Sequence, residues 1–197
     1  IEFVDIAGLI KGASQGEGLG NKFLSHIRQV DAIVQVVRCF ENDDIIHVSG
    51  SVDPARDIEV INLELALADL AQVEKRIERV RKQAKNNKEA AEELVVLEKL
   101  INELNENKLV RQLDLSEDEL NLIQNLELLT LKPVIYATNV SEDDLATGNK
   151  WVEEVRKIAD AENSKVVIIS AQVESELVEL SEEERKDFLE SLGVEEG

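Results

Sequence analysis

The chain has 197 residues, of which 43% are hydrophobic, so it is long enough to bury a substantial core. Its formal net charge of −20 argues against broad electrostatic attraction to DNA or to an anionic membrane. A single cysteine, Cys39, excludes an intrachain disulfide framework and fits a reducing compartment. No apolar run reaches the length of a membrane span. We therefore expect a cytoplasmic protein that has neither DNA nor a membrane as its partner.

Four short apolar runs rich in β-branched residues predict the buried strands of a parallel sheet. They are Ile1–Ala7, Ala32–Val37, Val134–Thr138 and Val166–Ser170. Between and after them lie helical patterns: Asn21–Gln29, Lys150–Ala161 and a capped helix from Ser181 to about Gly193. This alternation predicts a doubly wound α/β fold, in which ligands bind at the carboxyl ends of the strands.

A long helical block interrupts the alternation. Asp53-Pro54 is a typical helix start, and apolar residues then recur at spacings of three and four as far as Ala84. After a polar turn, a second apolar stripe runs to Leu104, so we expect a helical hairpin that forms a coiled-coil arm. A capping box at Ser116 predicts a third helix to about Thr130. The sequence thus predicts an α/β domain over 1–52 and 131–197 with a helical coiled-coil insertion at 53–130.

Polar residues follow three of the predicted strands. Asp5 and Gly8 form an acid–glycine pair that suits a site for Mg²⁺ and a terminal phosphate: the carboxylate can order the metal's water shell, and the glycine backbone can approach a phosphate oxygen. Asn139 and Glu142 follow the third strand, where an amide and a carboxylate can read the edge of a purine. Ser170, Ala171 and Gln172 follow the fourth strand and can meet the base from its other side. In this order the three sites match the later motifs of P-loop GTPases.

Longer motifs narrow the resemblance. The segments Asp5–Leu24, Val37–Val48 and Asp53–Glu59 closely resemble the Obg-like ATPases of the YchF family, and the similarity extends over nearly the whole chain. The resemblance implies a P-loop NTPase-like parallel sheet and a Mg²⁺-dependent nucleoside triphosphatase of the translation-factor class. It also implies a preference for ATP, or the use of both ATP and GTP, and the ribosome or ribosomal RNA as a partner.

The base-reading loop gives a physical reason for relaxed base selectivity. The usual guanine reader is Asn-Lys-x-Asp; here Glu142 carries its carboxylate one methylene further, and Val140 replaces the lysine that stacks over the base. A site that loses matched hydrogen bonds loses discrimination. Leu9 stands where other GTPases carry the glutamine that orients the attacking water, so we expect slow intrinsic hydrolysis.

The glycine-rich segment from Gly16 to Phe23 is not a Walker A loop. Phe23 has no hydroxyl for Mg²⁺, and the segment follows the acid–glycine strand instead of preceding it. We therefore expect the Walker A before Ile1 and the family's TGS domain after this chain. Without a lysine and a backbone nest for the phosphates, the chain by itself is expected to bind nucleotide weakly and to be inactive.

A basic cluster lies near the end of the predicted arm, between Lys75 and Lys88. Such a cluster is usually a solvent-exposed helix face. In an acidic protein, however, Arg79, Arg81 and Lys82 are also candidates for contact with ribosomal RNA. Two alternatives to an ATPase stay open. The chain could be a non-catalytic module that binds a ribosome or another protein, or the enzyme could be a guanine-specific GTPase.

Overall fold

The computed structural model describes residues 1–6, 20–42 and 51–194. The chain divides into two compact units: the first comprises Ile1–Ile33 and Glu59–Pro133, and the second Val34–Ile58 and Val134–Gly197. The inserted domain at 53–130 stays a prediction. In the parts of the chain that are described, no helix is both long and apolar enough to cross a membrane.

The second unit is built on a sheet of three strands in the order β1 (Ile33–Arg38), β2 (Val134–Asn139) and β3 (Lys165–Ile169). β2 and β3 are parallel, with Asn139 opposite Ile169 at their carboxyl ends. β1 runs in the same direction as β2, because the N–H of Ile33 donates to Pro133 at one end and the N–H of Cys39 donates to Asn139 at the other. The predicted parallel sheet and α/β fold class are therefore confirmed.

Helices follow the last two strands of this sheet. α5 (Lys150–Glu162) comes after β2, and Asn149 caps its N-terminus; α6 (Ala171–Leu177) comes directly after β3, and Ser170 caps it. α7 (Glu182–Ser191) begins at the predicted capping box of Ser181 and Glu184. A small apolar cluster centred on Val173, Leu177 and Leu189 packs α6 against α7. α6 was not predicted, because its apolar stripe is only two residues long.

The first unit is mainly helical. α1 (Gly20–Gln29) precedes β1, and the long helix α2 (Pro54–Gln83) enters this unit at Glu59. α3 (Lys88–Asn105) follows a short turn and is capped by the Asn87 side chain, which accepts the N–H of Ala90. One apolar core joins α2 and α3 to the segment that follows, with Val73, Val80, Leu97 and Leu100 among its members. The two predicted helices and their polar turn are confirmed.

The sequence-based prediction was wrong for the third helix of the predicted insertion. α4 (Glu117–Ile123) begins at the predicted capping box but ends seven residues early, and 3₁₀ turns at Gln124–Leu126 and Leu129–Leu131 replace its last part. Glu127 between these turns has a φ of 48°. The reason is tertiary: the buried Asp69 on α2 accepts the N–H groups of Leu129 and Thr130, which a continuing helix would have used itself.

The prediction of a strand at Ile1–Ala7 was also wrong for its described part. Residues 1–6 adopt no regular structure and are not part of the three-stranded sheet. Ile1, Phe3 and Val4 are exposed. Apolar, β-branched composition favours a strand, but a strand also needs a neighbour to pair with, and among the described residues this segment has none.

Candidate nucleotide-binding site

The carboxyl ends of the strands in the second unit are joined by side-chain hydrogen bonds. The Oδ1 atom of Asn139, the last residue of β2, accepts the backbone N–H of Ala171 at 2.9 Å. Ala171 is the first residue of α6, two positions after the end of β3. The structure thus brings together Asn139 and the segment Ser170–Gln172, two of the predicted base-reading segments, through a direct hydrogen bond.

This bond leaves part of the Asn139 side chain available. An amide has two donors on its nitrogen and two acceptor positions on its oxygen, and the Ala171 contact occupies only one of the acceptor positions. Asn139 is half-buried at the carboxyl end of β2, the central strand of the sheet. The arrangement can therefore present an oriented N–H₂ group to a ligand while the oxygen holds the first residue of α6 in place.

The members of the Ser170–Gln172 segment have different environments. Ser170 is buried, and its hydroxyl caps α6 by accepting the N–H of Val173 at 3.5 Å. Ala171 and Gln172 are exposed, and the Gln172 amide donates to Glu176 at 3.4 Å. Ser170 therefore has a structural task, whereas the two residues after it are accessible to a ligand.

Val140 and Glu142 also differ from each other. Val140 is 2% exposed, and its N–H donates to the carbonyl of Ile169 at 2.9 Å, so its side chain belongs to the core. Glu142 is half-buried and opens the 3₁₀ turn Glu142–Asp144. Of these two residues, only Glu142 has a side chain with access to solvent.

Asn149, which was not predicted as a site residue, forms hydrogen bonds with several segments of the same region. Its Nδ2 donates to the carbonyl of Cys39, which follows β1, and to Oδ2 of Asp144, both at 2.8 Å. Its Oδ1 accepts the N–H groups of Trp151 and Val152 at the start of α5. Gly148-Asn149 before a helical pattern signals an N-cap. The contact with Cys39, 110 positions away, has no sequence signal.

The residues predicted to bind Mg²⁺ and the terminal phosphate lie either in the first unit or outside the described residues. Asp5 belongs to the first unit and its side chain is exposed, whereas Gly8 and Leu9 fall outside the described residues. Within the described ranges, His, Cys, Asp and Glu form no group of three that could hold a metal ion. Mg²⁺ usually takes one or two carboxylates together with water and substrate phosphates, so the accessible carboxylate of Asp5 is a suitable donor.

The basic residues near the end of α2 fall into two groups. Three of them form ion pairs with glutamates of α3: Arg76 with Glu93, Arg81 with Glu98, and Lys88 with Glu92. The remaining four are exposed and have no ion pair among the described residues; they are Lys75, Arg79, Lys82 and Lys85. Of the three predicted partner-binding residues, Arg79 and Lys82 are therefore accessible, and Arg81 is engaged with Glu98 at 3.4 Å.

Comparison with known proteins gives consistent matches. The family model of the 50S ribosome-binding GTPase matches residues 1–63. Over 99–100% of its length, the chain is 54% identical to a ribosome-binding ATPase YchF of Bacillus subtilis and 56% identical to one of Escherichia coli O157:H7. It also superimposes on the YchF GTPase structure of Schizosaccharomyces pombe with a TM-score of 0.80 and 41% identity, covering 95% of this chain and 52% of that one.

Over these residues, the chain belongs to the YchF family. It spans about half the length of the curated relatives it matches, 54% in both bacterial proteins. The resemblance seen in the sequence motifs is confirmed, and the likeness to the YchF structure supports the P-loop NTPase fold class. The segment matched by the GTPase family model contains Asp5, Gly8 and Leu9 of the YchF motif.

Proposed function

We propose that the full-length protein is a Mg²⁺-dependent nucleoside triphosphatase that hydrolyses ATP, accepts GTP, and acts on the ribosome in the cytoplasm. One observation of the structure carries the nucleotide part: the hydrogen bond from Ala171 N–H to Asn139 Oδ1 joins the two base-reading segments. The names of the relatives, ribosome-binding ATPases and a GTPase, support a ribosome-associated nucleotide hydrolase.

Relaxed base selectivity has support in the loop after β2. The Val140 side chain is buried and therefore cannot stack over a base as a lysine does. Glu142 begins a 3₁₀ turn. Its side chain is one methylene longer than that of aspartate, and we propose that this length displaces its carboxylate from the position that matches guanine. We propose that Asn139 binds the purine ring, that Glu142 contacts its edge loosely, and that Ala171 and Gln172 border the base.

For the phosphates, we propose that Asp5 holds Mg²⁺ through water and that Gly8 contacts the terminal phosphate. Bound Mg²⁺ neutralises the charge that develops on the transferred phosphoryl group. Leu9 cannot orient a water molecule, so the proposal includes slow hydrolysis in the absence of a partner.

Competition binding of ATP and GTP to the full-length protein tests the nucleotide part. ATP is expected to bind at least as tightly as GTP, and Asn139→Ala to weaken both about tenfold, because a polar contact with the base is lost. Asn121→Ala, which removes an exposed amide on α4, is the matched control and leaves both affinities unchanged. Tighter binding of GTP that Glu142→Ala abolishes would instead establish a guanine-specific GTPase.

The second candidate, a non-catalytic docking module, is favoured by the charge of the arm. Residues 75–88 contain seven basic side chains and one acidic one, in a chain whose formal net charge is −20. The four basic residues without ion pairs are free to neutralise RNA phosphates. We propose that, in such a module, this end of α2 and the turn after it contact ribosomal RNA.

Ribosome cosedimentation tests the arm. Reversing Arg79 and Lys82 to glutamate is expected to weaken association about tenfold or more and to flatten its salt dependence, since two phosphate contacts are lost. Reversing Lys157 and Lys165, which are exposed in the second unit, changes the net charge equally and serves as the control. Equal effects of the two double variants would show that only the overall charge matters.

A further inference from the structure

One side chain links the end of β1 to the turn that carries Glu142 and to the start of α5. Asn149 donates two hydrogen bonds of 2.8 Å, to the Cys39 carbonyl and to Asp144 Oδ2. It accepts two of 3.1 Å, from the N–H groups of Trp151 and Val152. Both donors and both acceptor positions of the amide are therefore occupied, so the side chain has one fixed orientation.

We propose that Asn149 is the positioning residue of the base-reading turn Glu142–Asp144 and thereby sets the affinity for the base. The inference rests on the proposed nucleotide-binding function and deepens it. Asn149 does not touch the base itself; it acts through Asp144, which lies two residues after Glu142 in the same turn.

Few bonds connect the turn to the strand ends. Backbone bonds from Asp144 N–H to Ser141 and from Leu145 N–H to Glu142 close the turn, and Gly148 N–H donates to the Asp144 carbonyl at 2.7 Å, but none of the three reaches the sheet. The Ser141 hydroxyl adds a longer contact of 3.3 Å to Asp144 Oδ2. The bond from Asn149 to Asp144 is thus the side-chain contact that connects the turn to the end of β1, and it restricts where the turn can lie.

An N-cap by itself does not require this amide. Capping α5 needs only a side-chain acceptor, and Asp or Ser caps a helix about as well as Asn. The two donor bonds need the amide nitrogen, which Asp lacks; an Asp here would also place a second carboxylate beside Asp144. Asn149→Asp therefore keeps the cap and removes the connection to the turn and to Cys39.

The experiment measures the affinities of the full-length protein for ATP, GTP and tripolyphosphate, a probe that has no base. Asn149→Asp is expected to weaken ATP binding about tenfold, because a charge-assisted hydrogen bond to the turn is lost, and to leave tripolyphosphate binding unchanged. Asn87→Asp, the same substitution at the cap of α3, is the matched control and alters none of the three affinities.

Asp144→Ala provides a second route, since it breaks the link to the turn but leaves Asn149 bound to Cys39 and to α5. It should reproduce the loss for ATP without a loss for tripolyphosphate. If either variant weakens ATP and tripolyphosphate equally, or if both variants bind ATP as the wild type does, Asn149 has only a structural role. A wild-type protein that binds neither ATP nor GTP overturns the proposed function itself, an outcome that the wild-type titrations alone reveal.

Discussion

Replacing Asp69 with asparagine tests how strongly one buried carboxylate holds the first unit together. Asp69 on α2 is fully buried, and its oxygens accept three hydrogen bonds of 2.8 Å, from the N–H groups of Leu129 and Thr130 and from the Thr130 hydroxyl. The Thr130 hydroxyl in turn accepts the N–H of Val110 at 3.2 Å. Burial raises the pKa of the Asp69 carboxyl, and the hydrogen bonds from Thr130 and Leu129 oppose that shift.

The size of the effect follows from these contacts. In Asp69→Asn the amide oxygen can keep the two Thr130 bonds, but the N–H₂ group then faces the N–H of Leu129 and leaves a buried donor unsatisfied. An unsatisfied buried donor costs about 1–3 kcal/mol, and the two remaining bonds lose their charge assistance, whereas the neutral amide avoids the cost of burying a charge; we expect a net loss of about 2–3 kcal/mol in unfolding free energy. For a chain of this size that corresponds to a fall in Tm of roughly 10 °C.

Urea denaturation followed by far-UV circular dichroism measures the loss, and amide hydrogen exchange shows where it arises. Leu129 and Thr130 should exchange faster in Asp69→Asn, whereas amides of β2 and β3 should keep their protection. Asp160→Asn, an exposed substitution on α5, is the control and changes the unfolding free energy by less than about 0.5 kcal/mol. If Asp69→Asn is as stable as this control, the buried carboxylate does not hold the 3₁₀ segment and the reasoning is refuted.

Three further predictions concern single residues. Burial of the Cys39 thiol, with Glu154 and Asp57 nearby, raises its pKa from 9.0 to about 12. The native thiol should therefore react with a disulfide reagent at pH 8 roughly a thousandfold more slowly than the urea-unfolded thiol. Equal reaction rates would contradict this prediction. Gly148 has a φ of 71°, and an added Cβ would lie 3.2 Å from the Ile168 side chain. Gly148→Ala should therefore lower the unfolding free energy by about 1–2 kcal/mol. An unchanged Tm would contradict this prediction. Arg76 forms an ion pair with the nearly buried Glu93 through two hydrogen bonds. Arg76→Ala should lower the unfolding free energy by about 2 kcal/mol, and adding Glu93→Ala should restore part of that loss. Strictly additive losses in a double-mutant cycle would exclude this coupling.

The sequence predicted those elements whose signals are local. Capping boxes at Ser116 and Ser181 marked the first residues of α4 and α7, and the β-branched run Val134–Thr138 became β2, one residue longer. The capping boxes consist of neighbours in the chain, so their effect on the backbone does not depend on distant segments, whereas β2 formed because its apolar run also found β1 and β3 to pair with. The order of the motifs after the strands likewise indicated the family.

Distant contacts decided the remaining features. Asp69 ended α4 early by capturing N–H groups 60 and 61 residues away, and no local pattern in 117–130 reveals that competition. The apolar run at 1–6 had strand composition but acquired no pairing partner among the described residues. In the first case a tertiary hydrogen bond overrode the local helix propensity, and in the second the lack of a pairing strand overrode the local strand propensity.

The amino-acid sequence alone indicated the family, the three strands β1, β2 and β3 in their chain order, and which polar residues follow β2 and β3, because short motifs and periodicity carry this information. Only the tertiary structure decided that Asn139 is bonded to Ala171, that Val140 is buried, and that Asn149 connects Cys39 to the turn of Asp144. The physical reason is that a hydrogen bond requires its two atoms within about 3 Å, a condition set by how the strands align and not by the spacing of residues along the chain.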